Sequence, residues 1–211
     1  TEIVEYMSLP QSQRKGSAKE SLVYDRLEIF SKNKPTYIKS YALLDTNGSD
    51  ILDTDGSKIG ASFVDQEYFI SVMAKKNPYA SGLTILPDGD HIVYFATPIT
   101  SKSGELLGVY VVTYNANIIQ TIVDAMLRAN AAAPPTTEYT YLIDGTNYFI
   151  LAHTNRVDLV YKTYLGMDDP RLLKLQEQGE IDEENLGTLV ISQPEVVIEL
   201  GKMENTTEFQ A

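Results

Sequence analysis

Tyr37-Ile38-Lys39-Ser40-Tyr41-Ala42-Leu43-Leu44-Asp45-Thr46-Asn47-Gly48 opens the stretch that decides the fold, and Gly104-Glu105-Leu106-Leu107-Gly108-Val109-Tyr110-Val111-Val112-Thr113-Tyr114 closes it. Between these ends the chain reads as short strands separated by turns, with one helical interlude. Strands are expected over 37–45 and 50–54, joined by Thr46-Asn47-Gly48-Ser49, because Asn and Gly tolerate the positive φ of a tight hairpin. Further strands are expected at 83–86, 91–99 and 105–114, with turns at Pro87-Asp88-Gly89-Asp90 and Ser101-Lys102-Ser103-Gly104. Val64, Tyr68, Val72 and Met73 share one helical face and predict a helix over 64–76, broken by Asn77-Pro78. Successive hairpins without crossover helices imply an antiparallel sheet, one face of which needs a cover.

Working outward, residues 2–9 are helix-compatible, Pro10 and Gly16 interrupt, and a helix resumes with Ala18, Leu22, Val23, Leu27 and Phe30 as an apolar stripe. Asn33 and Pro35 stop it, so residues 1–35 form an N-terminal helical stalk. On the other side the period becomes helical again from Asn115, with Ile118, Ile119, Ile122, Val123, Met126 and Leu127. Ala131 to Thr137, with two prolines that end the helix, reads as a linker. The strand–turn–strand pattern then recurs at 139–144 and 148–153, followed by a helix-leaning region over 168–185 and strands at 187–192 and 195–201. The fold class is therefore α+β: a long N-terminal helix followed by two lobes, 36–130 and 138–211, each an antiparallel sheet flanked by helices.

Charge and composition narrow the function. The chain of 211 residues has a formal net charge of −12 and no Lys/Arg cluster, which argues against a nucleic-acid backbone as partner. Residues 1–133 carry 15 acidic and 12 basic side chains and residues 134–211 carry 14 and 5, so the two lobes have different surfaces. Cysteine is absent, which removes disulfides and thiolate metal sites. No apolar run reaches the roughly 18–20 residues that cross a bilayer. The chain begins at Thr1, already helical, and reads as a piece of something longer.

Catalytic and metal patterns are missing. The acidic turns at 45–49 and 53–56 lack the Gly and Glu spacing of a calcium loop. His91 and His153 lie far apart with no ligand-spaced partner, so no metal and no cofactor is expected. There is no phosphate loop and no nucleophile elbow, and the chain is read as a non-enzyme.

The order of these pieces resembles the double-Cache family, the extracytoplasmic sensing domains of prokaryotic chemoreceptors and sensor histidine kinases. The resemblance lies in a long N-terminal helix, then YALLDTNGSDILDTDGSKIG (41–60), the helix entry DQEYFISVM (65–73) and HIVYFATPITSKSGELLGVYVV (91–112), followed by an apolar helix. A second pair, YLIDGTNYFILAH (141–153), resembles the smaller membrane-proximal lobe; residues 166–211 carry no such match. The resemblance implies PAS-like sheets and a small-molecule site in the membrane-distal lobe, between the sheet and the helix and loops above it. It places Tyr68 and Phe69 on the roof helix, Tyr79 and Ser81 in the loop after it, Tyr94, Ala96 and Thr97 on the central strand, and Tyr110 and Thr113 on the last strand. Alternation along a strand sets Tyr110 and Thr113 on opposite faces. Core packing accounts equally well for any one of these aromatics.

The amino-acid-binding members of that family carry an Arg and a Trp-Tyr pair at the roof helix and an Asp on the last strand. Here those positions hold Gln66, Tyr68-Phe69 and Thr113, so the implied ligand is a small organic molecule other than a standard α-amino acid. Its other partners would be the receptor's own transmembrane and cytoplasmic output domains, with a weak homodimer through the N-terminal stripe. Competing readings are a PAS-like protein-interaction module without a ligand and a cytosolic PAS-type regulator.

Overall fold

The computed structural model describes residues 1–33, 36–86, 88–129, 141–145, 147–177, 181, 183–191 and 193–203. The linker expected at 131–137 and the start of the strand expected at 139 lie outside them. Contacts divide the chain into two compact units, Thr1–Ser81 with Val93–Asn115, and Gly82–Ile92 with Ala116–Ala211.

The first unit is built on a sheet of β1 (Ile38–Leu44), β2 (Asp50–Asp53), β3 (Tyr79–Ala80), β5 (His91–Thr100) and β6 (Leu106–Asn115) in the order β2-β1-β6-β5-β3. β4 (Thr84–Ile85) pairs with His91 and Ile92 at the start of β5. β1 runs antiparallel to both neighbours, and β3 to β5. The turn from β1 to β2 closes on Asp45, whose Oδ1 accepts from the backbone N–H groups of Asn47 (2.8 Å) and Ser49 (3.0 Å). Gly48 sits at φ 79°, and a Cβ there would lie 2.8 Å from the backbone of Val64, so only glycine fits.

Alternation along the strands makes two faces. Tyr41, Leu43, Ile99 and Val112 face one core with Tyr6 and Met7 of α1 (Glu2–Met7). α2 (Gln11–Arg14) and α3 (Ala18–Asn33) follow, and α3 adds Val23 and Leu27 to that core. The N-terminal helix is thus three pieces, broken at Pro10 and Gly16. Arg14 ties the bend by donating to the carbonyls of Leu9 (2.9 Å) and Met7 (2.7 Å), groups left over at the end of α1. Only Val23 and Leu27 of the expected stripe are buried; Leu22 and Phe30 are exposed, because the helix presents a narrow seam to the sheet.

The other face carries Ala42, Leu44, Ala96, Val109 and Val111, roofed by Tyr68, Phe69 and Val72 of α4 (Glu67–Lys75). α4 starts later than the apolar period suggests, because Val64 and Asp65 form the turn that follows Phe63. The Phe63 N–H donates to the Gly48 carbonyl at 2.8 Å and pins that turn to the hairpin.

In the second unit β7 (Tyr141–Ile143) pairs antiparallel with β8 (Ile150–His153). α5 (Asn117–Ala129) packs on β8, and the Gln120 amide behaves like a strand partner. It accepts from the His153 N–H at 2.9 Å and donates to the His153 carbonyl at 3.3 Å. Phe149, Ile150, Leu165 and Leu172 are fully buried, Leu172 coming from α6 (Pro170–Glu177). The two strands expected at 187–192 and 195–201 are corrected by the structure. Residues 187–189 of the first belong to α7 (Glu183–Leu189), and Val190 makes a single parallel bridge to Thr163. The second is α8 (Pro194–Met203), where Pro194 at the first helical position and Glu195 beside it suit a helix N-terminus. The β-branched run Val196-Val197-Ile198 suggests a strand, but these residues are helical here.

Candidate ligand pocket

Under α4, on the sheet face opposite the N-terminal helices, lies a small pocket of about 20 Å³. Its floor is Ser40, Ala42 and Leu44 of β1 with Val111 and Thr113 of β6 and Tyr94 of β5. Phe63 and Tyr68 roof it, and Asp53 and Lys58 close the β2 side. That volume accommodates one group of about the size of a water molecule. The Tyr68 and Tyr94 rings meet at 4.8 Å and 37°. Tyr94 is anchored through its backbone, its N–H donating to Ser81 Oγ (2.8 Å) and its carbonyl accepting from the Ser81 N–H (2.9 Å). The Ser40 hydroxyl donates to Thr113 Oγ1 at 3.3 Å across the floor.

The strongest electrostatic feature is a pair of buried carboxyl groups. Asp50 and Asp53 are each 1 % exposed although three positions apart on one short strand. A regular strand would send them to opposite faces. The register shifts between Leu43 and Leu44: Asp53 pairs with Ala42, Leu52 with Leu43, and Asp50 with Leu44. Ile51 is the extra residue of a β-bulge, and the bulge returns Asp50 to the side of Asp53. Burial, and then the neighbouring Asp53, push the Asp50 carboxyl up to about 7. Burial likewise raises Asp53, against the stabilising hydrogen bond from the Asp55 N–H. Burial holds the Tyr68 phenol far above its usual range, with Tyr94 and the two carboxylates adding to it.

Of the residues that the resemblance marks, the structure brings Tyr68, Tyr94 and Thr113 together in this pocket. Phe69 and Ala96 are buried in the core beside it, and Tyr79 packs against that core from β3. Ser81 acts behind Tyr94. Thr97 and Tyr110 are elsewhere: with Phe95 and Val112 they line an open groove of about 310 Å³ beside β3, which Tyr79 and Ala96 also border. Tyr110 stacks on Tyr41, ring centroids 6.0 Å apart, on the face that carries α3. Ser40, Asp53 and Lys58 are polar pocket groups that the reading of the sequence passes over, with Asp50 beside Asp53 but outside the lining. The signal available was the DTDG turn itself, which reads as an ordinary acidic turn until the bulge is seen. Among the described residues no group of three or more His, Cys, Asp or Glu could hold a metal ion.

No family model matches the chain, and no curated protein does. Solved structures do. The sensor domain of the V. cholerae histidine kinase DctB superposes with a TM-score of 0.55 at 17 % identity, covering 85 % of this chain and 64 % of that one. The chain has the fold of the Cache-type sensor domains. The ligand-binding domain of the Campylobacter jejuni chemoreceptor Tlp3, solved in complex with 4-methylisoleucine, superposes with a TM-score of 0.52 at 16 % identity over 74 % of this chain and 59 % of that one. The chain thus spans less than two thirds of the length of either Cache-type neighbour. Both neighbours are sensor or receptor domains. Among the described residues no helix is long and apolar enough to cross a membrane.

Proposed function

We propose that the chain is the extracytoplasmic sensing part of a transmembrane signalling receptor, with a small organic ligand held in the pocket under α4. The observation that carries this reading is that Tyr68, Tyr94 and Thr113 border one small, polar-edged space in a sensor-type fold. A ligand there touches both the sheet and the roof helix, so it favours whichever α4 position grips it better, by no more than its differential affinity. The opposite sheet face packs on α1 and α3, and these helices carry the change toward the receptor's membrane and output domains. The residues around the pocket present no nucleophile beside a base, which fits a binding site better than an active site.

Ligand occupancy is testable by thermal shift against organic acids, amines, purines and sugars. A true ligand at a hundredfold excess over its dissociation constant contributes about 2.7 kcal/mol and raises the melting temperature by several degrees. The shift disappears in Tyr94→Ala and Thr113→Ala. A hit that both variants keep would place the ligand elsewhere, and a silent panel on folded protein would favour the interaction-module reading.

A weak homodimer fits the same picture. Leu22, Ile29 and Phe30 stay exposed on α3, about half accessible each, and form an apolar stripe outside the buried seam. Sedimentation at high concentration is expected to show dimer that Ile29→Glu abolishes; a strictly monomeric profile removes the proposal.

A further inference from the structure

His153 ends β8, and its side chain is 3 % exposed. Its ring closes the turn that follows. The backbone N–H groups of Asn155 and Arg156 both donate to Nδ1, at 3.1 and 3.0 Å. This is the bonding of an Asx turn, with an imidazole in place of the usual amide or carboxylate. The turn leads into the single 3₁₀ turn Val157–Leu159. Only a neutral ring can hold it. A ring nitrogen that accepts carries no proton, whereas an imidazolium carries one on each nitrogen. A proton on Nδ1 sets one N–H against two others and breaks both bonds.

We propose that His153 is an acid-sensitive latch in the second unit: neutral, it closes the turn after β8, and protonated, it lets that turn open. The latch goes beyond the sensing reading and does not depend on a ligand in the first unit. Its surroundings oppose the proton. Burial comes first and the Arg156 charge second, and together they hold the imidazole below its usual range. Asp158 acts the other way, but it lies on the surface and is engaged by Arg156 at 2.7 Å. From β7 the Tyr141 ring stacks on the imidazole, 5.6 Å away at 12°. From α5 the nearest charge is Asp124, held at 2.7 Å by the same Gln120 amide that clasps the His153 backbone. An opened turn therefore loosens the end of β8 to which α5 is pinned. The unfolded chain takes this proton near 6.5 and the folded chain only below it. The latch's contribution is fully present above that value and is lost as the pH falls through the folded one.

Amide hydrogen exchange of the whole chain, followed by NMR at pH 7.5 and pH 5 and corrected for intrinsic rates, tests this. Asn155 and Arg156 are expected to lose roughly tenfold or more of their protection at the lower pH, as two lost hydrogen bonds imply. The Tyr148 N–H, bonded to the Asp144 carbonyl at the other end of the hairpin, keeps its protection. His153→Asn places an oxygen near the position of Nδ1 and cannot titrate, so it keeps the turn and loses the pH dependence. His153→Phe keeps a ring without the acceptor and opens the turn at both pH values. His91, stacked on Tyr161 at 4.0 Å, is also lowered by burial, so global melting reads both histidines and the turn amides are followed instead. If a variant fails to fold by circular dichroism, the wild-type ring C–H shifts decide, assigned with His91→Gln. The His153 resonance is expected to titrate below 6.5, in step with the loss of protection. Equal protection of Asn155 and Arg156 at both pH values, a His153 ring titrating at or above its ordinary value, or wild-type pH dependence in His153→Asn overturns the latch.

Discussion

Asp50→Asn raises the melting temperature at pH 8 and leaves it nearly unchanged at pH 4. The sign follows from where the group titrates. Asp50 is ordinary in the unfolded chain, near 3.8, and is pushed up to about 7 by burial and by Asp53 in the folded one. Between these values the native state binds the extra proton. The group's contribution is therefore fully present below about pH 4, and it is lost as pH rises through about 7. The rise from 3.8 to about 7 sets an upper bound on the order of 4 kcal/mol, divided between two interacting carboxyls. The amide keeps the Leu52 hydrogen bond through its oxygen, donates to Asp53 in place of the proton, and carries no charge to desolvate. Several degrees of stabilisation at pH 8 are expected for a chain of this size. An unchanged or lowered melting temperature there would sink the account of the pair. The wild-type carboxyl pair keeps a destabilising charge beside the proposed binding site, the kind of local cost that functional sites carry.

The second large effect is expected from the roof. Phe69→Ala should cost about 3–5 kcal/mol, because Phe69 is 4 % exposed and fills the core between α4 and the sheet. Ile70, its neighbour on α4, is 52 % exposed, and Ile70→Ala should stay within about 0.5 kcal/mol, helped by alanine's helix propensity. Urea denaturation of the two variants compares adjacent positions on one helix. Similar losses for both would mean that α4 does not roof the pocket as described. The Phe69 variant also loosens the cover over Tyr68, so any ligand found in the thermal-shift panel should bind it more weakly.

Much of this architecture was legible in the chain. Asn47-Gly48 fixed the first hairpin because only a turn tolerating positive φ closes it, and Gly48 proves to have no room for a Cβ. The period-two pattern of 91–99 and 105–114 placed β5 and β6 within a residue or two, and alternation alone put Thr113 and Tyr110 on opposite faces. The α+β class and the sensor-type resemblance follow from that order of elements. Less was legible after residue 166. There Val196-Val197-Ile198 carries a strand's composition at a place where the chain forms α8, and local propensity loses to context.

The polar heart of the pocket lies on the other side of that line. In sequence Asp50 and Asp53 are two acids of an acidic turn, on opposite faces of any regular strand. The slip at Ile51, set by how β2 meets β1, turns both carboxyls the same way and buries them. Sequence alone determined the strands and turns of the first unit and its helical roof, because each rests on local period and backbone preference. Tertiary structure decided which side chains meet under that roof and what burial does to their charge. Register and desolvation are properties of packed neighbours, and no stretch of sequence contains them by itself.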